Sequence, residues 1–281
     1  MTDERLSVLI TGATGNLGQR VRRHLAAAST RDLRLLCLNP SNDPAVITVD
    51  LSRPEDEWGH LFDGVDVVLH FAADSSTSAD WPSVQRNNID ATLSVFHAAV
   101  RHNVRRVVFA SSTWTMAGYR FGTERLTAEL PPRPVGFYGL SKLVCERIGE
   151  SFARSHNLSV ICLRIGFRPV GDDEKILMSY SRWEQEMWIS DRDFVQLVER
   201  AIVASDIGFA IVNGESNNPG MRWDLDETRR LLGYVPEDGR TVMLTPRAKA
   251  RELIRRLASG ISGLRSTGVR GLIPFVSSAI T

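Results

Sequence analysis

The sequence predicts an α/β fold, a doubly wound parallel sheet with a small interleaved C-terminal lobe. Short β-branched and apolar runs alternate with longer segments in which apolar residues recur at spacings of three and four. These are the periods of buried strands and of helices. Strands that alternate with helices in this way form a parallel sheet with helices on both faces. The first strand also runs directly into a glycine-rich segment that opens a helix.

The elements follow one another in a regular order as far as residue 165. Strands are predicted at residues 6–11, 33–38, 45–50, 65–72, 105–112, 158–165 and 209–214. Helices are predicted at residues 16–28, 84–102, 138–155, 193–205 and 224–233. Residues 166–190 interrupt the alternation with turn-forming residues followed by Trp183 and Trp188, so we predict a loop or lid there.

Composition excludes several classes of protein. The chain has 281 residues, 43% of them hydrophobic and 24% charged, with a formal net charge of +1. This balance gives no electrostatic reason to expect nucleic acid or a membrane as a partner. The three cysteines and six histidines lack the spacing of metal ligands, so no metal site is expected. No signal peptide or membrane span is recognisable, and we expect a cytoplasmic protein with reduced thiols.

The segment after the first strand predicts a dinucleotide site. Gly12, Gly15 and Gly18 stand where missing side chains let the backbone approach a pyrophosphate at a helix N-terminus. A tight strand-to-helix turn is the alternative, and the position between strand and helix favours the cofactor. Asp50 ends the third strand, where it can accept from an adenine amino group or cap a helix. Ala72 and Ala73 leave room for a ligand or only pack closely.

A second candidate site begins the helix at residue 138. Tyr138 and Lys142 are four residues apart, on one helix face, where an ammonium can favour the phenolate. Ser111 and Ser112 end the fifth strand, at the sheet edge where ligands bind. There a serine hydroxyl can orient a substrate oxygen while Tyr138 removes or returns its proton. The alternative is a surface pair at a helix start.

Together these motifs resemble the extended short-chain dehydrogenase/reductase superfamily, also called the NAD-dependent epimerase/dehydratase family. The segments occur in the family's order over roughly the first 165 residues: "TGATGNLG", "VDLS", "HFAA", "NNI", "FASS" and "YGLSK". The resemblance implies a Rossmann-like fold, a catalytic set of Ser112, Tyr138 and Lys142, and Asn88 in the hydrogen-bond chain of the site. It also implies that Lys142 holds the nicotinamide ribose.

Within this family the sequence closely resembles uronate dehydrogenases, through "RPVGFYGLSK", "LRIG" and "WDLDETRRLLGY". Those enzymes oxidise a free hexuronate with NAD. This chain departs from them at Thr113 and Trp114, where they have Asn-His, and at Phe167, where they have Ser. We therefore expect a modified or conjugated sugar-like alcohol or ketone, with Arg182 meeting a carboxylate if the substrate has one. Alternatively, Trp183 and Trp188 only pack the lid and Arg182 is solvated.

From these observations we predict two domains, a set of cofactor contacts and a set of substrate contacts. A dinucleotide-binding domain comprises residues 1–165 and 191–213, and a small substrate lobe with the tail comprises residues 166–190 and 214–281. The expected cofactor contacts are Gly12, Thr14, Gly15, Asn16, Leu17, Gly18, Asn39, Asp50, Leu51, Ala72, Ala73, Tyr138 and Lys142. The expected substrate contacts are Ser75, Ser111, Ser112, Thr113, Trp114, Phe167 and Arg182.

The predicted function is that of an NAD(P)-dependent oxidoreductase acting on a sugar acid or a modified sugar. The alternatives are a sugar or sugar-nucleotide epimerase that retains NAD, and an NAD-binding sensor without catalysis. NAD is the expected cofactor, with NADP still possible, because residues 35–42 offer Asn39 but no acid, arginine or lysine. The resemblance also implies that helices 82–102 and 137–156 of two subunits pair across a two-fold axis. We therefore expect a homodimer or a larger oligomer built from such dimers. The basic tail from residue 240 is a solvated helix face or an anion-binding patch.

Overall fold

Seven parallel strands form one sheet. The computed structural model describes residues 5–28, 31–168 and 180–254. The strands are β1 (Leu6–Thr11), β2 (Arg31–Cys37), β3 (Val46–Thr48), β4 (Val67–His70), β5 (Arg106–Ser112), β6 (Ser159–Ile165) and β7 (Phe209–Gly214). Their order is β3-β2-β1-β4-β5-β6-β7, and every pair is parallel. The predicted doubly wound sheet is confirmed, and its direction of winding reverses between β1 and β4, where such sheets bind ligands.

Helices connect the strands across both faces of the sheet. They are α1 (Asn16–Ala28), α2 (Trp81–Val84), α3 (Ala91–Arg101), α4 (Gly136–Ser155), α5 (Arg182–Glu186), α6 (Asp191–Val203) and α7 (Asp226–Leu232). The predicted helix 84–102 is divided, because a π-helical segment, Gln85–Asp90, joins α2 to α3. Residues 246–254 are also helical. None of the described helices is both long and apolar enough to span a membrane.

Two apolar layers cover the sheet. One layer packs α1 and α6 against it, through residues such as Leu25 and Phe194. The other packs α3 and α4 against the opposite face, through residues such as Phe96 and Cys145. Strands buried on both faces are continuous apolar runs, which is why the sequence shows them so clearly.

A third, smaller cluster lies apart from the two layers. Its buried members are Met116, Ala117, Tyr119, Leu126, Trp183, Met187 and Trp223. Trp183 packs against Trp223, with ring centroids 5.1 Å apart. The cluster joins two predicted domains: Met116, Ala117, Tyr119 and Leu126 belong to the predicted dinucleotide-binding domain, and Trp183, Met187 and Trp223 to the predicted small lobe. The domain boundaries themselves stay a prediction.

Part of the segment predicted as a loop is helical. Ser181 and Glu184 form a capping box that starts α5, with the Ser181 backbone N–H donating to Glu184 Oε2 at 2.8 Å. A five-residue helix is too short to show a helical period, so periodicity could not find it. Residues 169–179 of the predicted loop, and the tail from residue 255 with its predicted basic patch, lie outside the described residues.

Candidate active site

One cavity of about 720 Å³ follows the carboxyl edge of the sheet, from the glycine-rich turn to the start of α4. Most of the residues predicted to bind the cofactor or substrate line it. These are Gly12, Thr14, Gly15, Asn16, Leu17, Asn39, Asp50, Leu51, Ala72, Ala73, Ser75, Ser111, Ser112, Thr113, Trp114, Tyr138 and Phe167. Gly18, Asn88, Lys142 and Arg182 are not in the lining.

The glycine-rich turn depends on the absence of side chains. Gly12 has a φ of +66°, and a Cβ there would lie 2.8 Å from the Ala72 backbone nitrogen. A Cβ at Gly18 would collide with the Gly12 carbonyl oxygen, so Gly18 serves the packing of α1 against the turn rather than the cavity. Together they hold the turn against β4 and leave its backbone open to a ligand.

Asp50 is held in place at the far end of the cavity. Its carboxylate accepts from the Ser52 backbone N–H at 3.0 Å, from the Ser52 hydroxyl at 2.6 Å and from Arg86 at 2.5 Å. Burial would raise the pKa of Asp50, but the Ser52 hydrogen bonds and Arg86 outweigh it and hold the pKa below its usual range. Asp50 therefore presents a fixed, charged acceptor at this end.

Tyr138 and Ser112 face the cavity, and Lys142 lies behind them. The Lys142 ammonium donates to the Ala110 carbonyl at 2.8 Å and lies 5.9 Å from the Tyr138 ring centroid. Burial lowers the pKa of Lys142 to about 8. Burial and the charge of Asp74 raise the pKa of the Tyr138 phenol, and the Ser112 hydroxyl acts against this rise. The phenol therefore needs a nearby cation to ionise near neutral pH.

Asn88 supports the site from the π-helical segment. Its amide nitrogen donates to Ser141 Oγ at 3.0 Å and to the Asp74 carbonyl at 3.1 Å. Its amide oxygen accepts from the Asp74 backbone N–H at 2.8 Å. Asn88 therefore links the loop after β4 to α4. A π-helical turn at such a position is a frequent feature of functional sites.

Two residues predicted to contact substrate have other partners. Ser111 lines the cavity, but its hydroxyl donates to Glu146 at 2.6 Å in the core. Arg182 pairs with Glu252 at 3.1 Å and with Glu186 at 3.9 Å, away from the cavity. Trp183 and Trp188 are both buried and lie outside the lining.

Sequence reasoning missed several residues at the substrate end of the cavity. Asp74, Arg168, Glu184 and Met187 all belong to the lining. Asp74 lies two residues beyond the predicted strand 65–72, so the rule that ligands bind beyond the carboxyl ends of strands could have found it. Glu184 is three residues after Ser181, a capping-box spacing that also could have been recognised. Arg168 and Met187 carry no such signal.

The residues present fit NAD. A cavity of this volume includes the glycine-rich turn, has Asn39 and Asp50 at one end, and reaches Tyr138 at the other. Gly15, Asn16 and Leu17 bring the N-terminus of α1 into the lining, and a helix N-terminus is a site that can bind a pyrophosphate. Within the described residues, no group of three or more histidine, cysteine or acidic side chains is arranged to hold a metal ion.

Known proteins similar to this chain include NAD-dependent dehydrogenases. NAD-dependent glucose-6-phosphate dehydrogenase of Haloferax volcanii is 36% identical over 82% of this chain and 93% of its own length. Uronate dehydrogenase of Pseudomonas putida is 34% identical, over 82% and 84%. A crystal structure of a mutant uronate dehydrogenase from Agrobacterium tumefaciens, complexed with NAD, has a TM-score of 0.72 at 27% identity and covers 96% of this chain and 92% of that chain.

These relatives confirm the predicted enzyme class, a nicotinamide-dependent dehydrogenase, and NAD as its cofactor. The model of one family matches residues 8–174, more than half of the sequence, from within β1 to beyond β6. The chain belongs to the NAD dependent epimerase/dehydratase family.

Proposed function

We propose that this protein oxidises a hydroxyl group of a sugar-like substrate, or reduces the corresponding carbonyl, with Ser112, Tyr138 and Lys142 as its catalytic residues. One observation carries the proposal: Ser112 and Tyr138 line the same cavity as the glycine-rich turn, with the Lys142 ammonium behind the Tyr138 ring. A dehydrogenase needs its proton-transfer group and its cofactor in one cavity.

The proton step follows from these positions. The Ser112 hydroxyl orients the substrate hydroxyl, and the Tyr138 phenolate accepts its proton. Burial raises the pKa of Tyr138. The positive charge of Lys142 acts in the opposite direction, because a nearby cation favours the phenolate. The chemistry that bound NAD would supply is a hydride acceptor for the oxidised carbon. In the reverse direction Tyr138 returns the proton to the oxygen.

The residues that line the cavity indicate which class of substrate it suits. Trp114 and Phe167 present aromatic surface beside Ser112. Such surface suits the C–H face of a sugar ring or an apolar appendage, but it leaves substrate hydroxyls unpaired at about 1–3 kcal/mol each. We therefore favour a sugar-like alcohol with one apolar face.

We also infer that the protein is a homodimer. Trp81 and Phe137 are exposed large aromatic residues in contact with each other, with ring centroids 5.8 Å apart. Leu93 on α3 and Leu140 on α4 are exposed as well. Exposed large apolar residues on α2, α3 and α4 are typical of an interaction surface.

A spectrophotometric screen tests the proposed reaction. Aldoses, uronic acids and ring-modified derivatives are mixed with NAD and, separately, with NADP. Free NADH or NADPH should accumulate in proportion to the substrate consumed. An epimerase that retains NAD would convert the sugar without net reduction, and a sensor would bind NAD with no turnover, so either result would contradict the proposal.

The Tyr138→Phe variant tests the role of the phenol. We expect turnover to fall by about 10²–10⁴-fold, since a general acid–base group contributes about that much. NAD binding, followed by calorimetry, should be nearly unchanged. The matched control is Tyr119→Phe, which removes a hydroxyl that donates to the Pro131 carbonyl. Wild-type turnover in Tyr138→Phe would show that Tyr138 and Lys142 only lie at the start of a helix and that the phenol has no catalytic role.

A further inference from the structure

Glu184 is a fixed carboxylate at the substrate end of the cavity. It lies on α5 and lines the cavity together with Trp114, Phe167 and Met187. Both the backbone N–H and the hydroxyl of Ser181 donate to its Oε2, at 2.8 and 2.7 Å. These bonds fix the side chain and, among the described residues, leave Oε1 without a hydrogen bond. A carboxylate oxygen held in this way is available to accept from a ligand hydroxyl.

The other charges around this end favour an uncharged ligand. Asp74, a second carboxylate, lines the cavity near Tyr138, and its charge raises the pKa of that phenol. Arg168 is the arginine in the described lining, and its guanidinium donates to Asp191 at 2.7 Å. Arg20 pairs with the same Asp191 carboxylate, so the two arginines share one acid. Among the described lining residues, a substrate carboxylate would face two acids, Asp74 and Glu184, and one arginine whose guanidinium is already bonded to Asp191.

The neighbouring arginine on α5 does not offset this charge. Arg182 bonds Glu252 at 3.1 Å, and Glu186 on the same helix pairs with Arg222 at 2.9 Å. The two arginines therefore meet acids on the far side of α5. The helix directs Glu184 into the cavity and its arginine away from it.

We propose that Glu184 selects an uncharged polyhydroxylated substrate, by accepting hydrogen bonds from its hydroxyl groups and by repelling a carboxylate in the same position. The substrate class is accordingly a neutral sugar or sugar-like alcohol rather than a sugar acid. This inference rests on the proposed dehydrogenase function and names the substrate class of that site.

The test compares matched pairs of ligands that differ only in charge: glucose with glucuronate, and galactose with galacturonate. Wild-type protein should have the higher kcat/KM for the neutral sugar of each pair. Glu184→Gln keeps the capping geometry, since Gln also serves at that position. This variant should shift the ratio of kcat/KM toward the uronate by about tenfold or more, as expected for removal of a charge a few ångströms away.

Two further variants separate the local charge from general effects. Glu184→Asp keeps the charge and should retain the preference for neutral sugars. Glu237→Gln makes the same chemical change at an exposed residue that pairs with Arg192, outside the cavity, and should leave the ratio unchanged. A wild-type preference for the uronates, or an unchanged ratio in Glu184→Gln, would overturn the inference.

Failure of the proposed function has a different signature. If wild-type protein oxidises none of these four compounds, the proposed sugar oxidation fails for them. The charge selection is then measured by calorimetry, with each compound titrated into NAD-saturated protein. Glu184→Gln should still strengthen binding of the uronates relative to the neutral sugars, and equal affinities in the variant and the wild type would reject the role of Glu184.

Discussion

Glu146 and Arg164 form a two-point ion pair in the core, with Nε to Oε1 and Nη2 to Oε2 both at 2.9 Å. Both side chains are almost fully buried, at 0% and 1% exposed. Glu146 Oε1 also accepts from the Ser111 hydroxyl at 2.6 Å. The pair therefore joins α4 and β6 to the residue next to Ser112. It ties the end of β5, where the proposed catalytic serine lies, to the helix that carries Tyr138.

Breaking this pair should be costly. Arg164→Met leaves the Glu146 carboxylate buried without its cation, and we expect the free energy of unfolding to fall by about 3–5 kcal/mol. The double variant Glu146→Leu/Arg164→Met removes both charges and should recover most of that loss. Urea denaturation followed by fluorescence measures the three proteins.

The control for this prediction is a partly exposed ion pair on the same helix. Arg147 contacts Glu150 at 2.7 Å, three residues on. Arg147→Met should change stability little, because solvent screens such a pair. A loss in Arg164→Met no larger than in Arg147→Met would show that the buried pair does not hold the core together.

The sheet could be predicted because its strands are buried on both faces. Continuous apolar runs and the glycine-rich turn indicated the order of elements, and five of the seven strands match closely. The strand β4 covers only Val67–His70 of the predicted residues 65–72. The strand around Val46 is shorter than predicted, since only Val46–Thr48 pairs with β2. The five-residue helix α5 was missed because one turn carries no period.

The roles of neighbouring side chains could not be read in the same way. Ser111 and Ser112 are adjacent on a strand, so their side chains point to opposite faces, and only the packed structure shows which hydroxyl is engaged in the core. Ser111 meets Glu146, a residue 35 positions later. Arg182 and Glu184 lie two apart on α5 and point in different directions for the same reason: their partners come from distant segments.

Lys142 should titrate close to physiological pH. Burial lowers its pKa from 10.5 to about 8, so the folded protein loses this proton before the unfolded chain does. As pH rises from about 8 to about 10.5, the unfolded chain therefore binds more protons, and this group contributes increasing stability. At the same time the cation beside Tyr138 is lost.

The measurement is simple because the chain contains only three lysines, Lys142, Lys175 and Lys249. Labelling with 13Cε-lysine gives three resonances in a heteronuclear NMR titration, and one should have its midpoint near pH 8. Lys142→Met identifies that resonance by its absence. Three midpoints above pH 10 would mean that Lys142 keeps its charge despite burial, and the predicted loss of the cation would be wrong.

Asn39 should control the choice between NAD and NADP. It lines the cavity near the end of β2, where an acid would accept from the ribose hydroxyls and repel a 2′-phosphate. Asn39→Asp should therefore lower kcat/KM for NADP by about tenfold or more and preserve the value for NAD. Titration of both cofactors measures the change.

Asn42→Asp is the matched control for cofactor choice, since Asn42 is exposed and outside the cavity lining. It should leave both cofactors unaffected. A wild-type preference for NADP of about a hundredfold would contradict the interpretation of this segment, because such a preference requires a cation that residues 35–42 do not contain.

The proposed dimer predicts that one charge on α3 separates the subunits. Leu93 is 38% exposed on this helix and distant in sequence from the proposed catalytic residues. Leu93→Glu places a carboxylate in the apolar surface, where burial between subunits would cost several kcal/mol. Light scattering after gel filtration should therefore give the mass of a dimer for wild type and of a monomer for the variant.

The control is Val203→Glu, which changes a residue that is 57% exposed at the end of α6 and should not alter the mass. A wild-type protein that is a monomer at tens of micromolar would refute the proposed dimer. A Leu93→Glu variant that remains a dimer would show that the contact between subunits does not involve this part of α3.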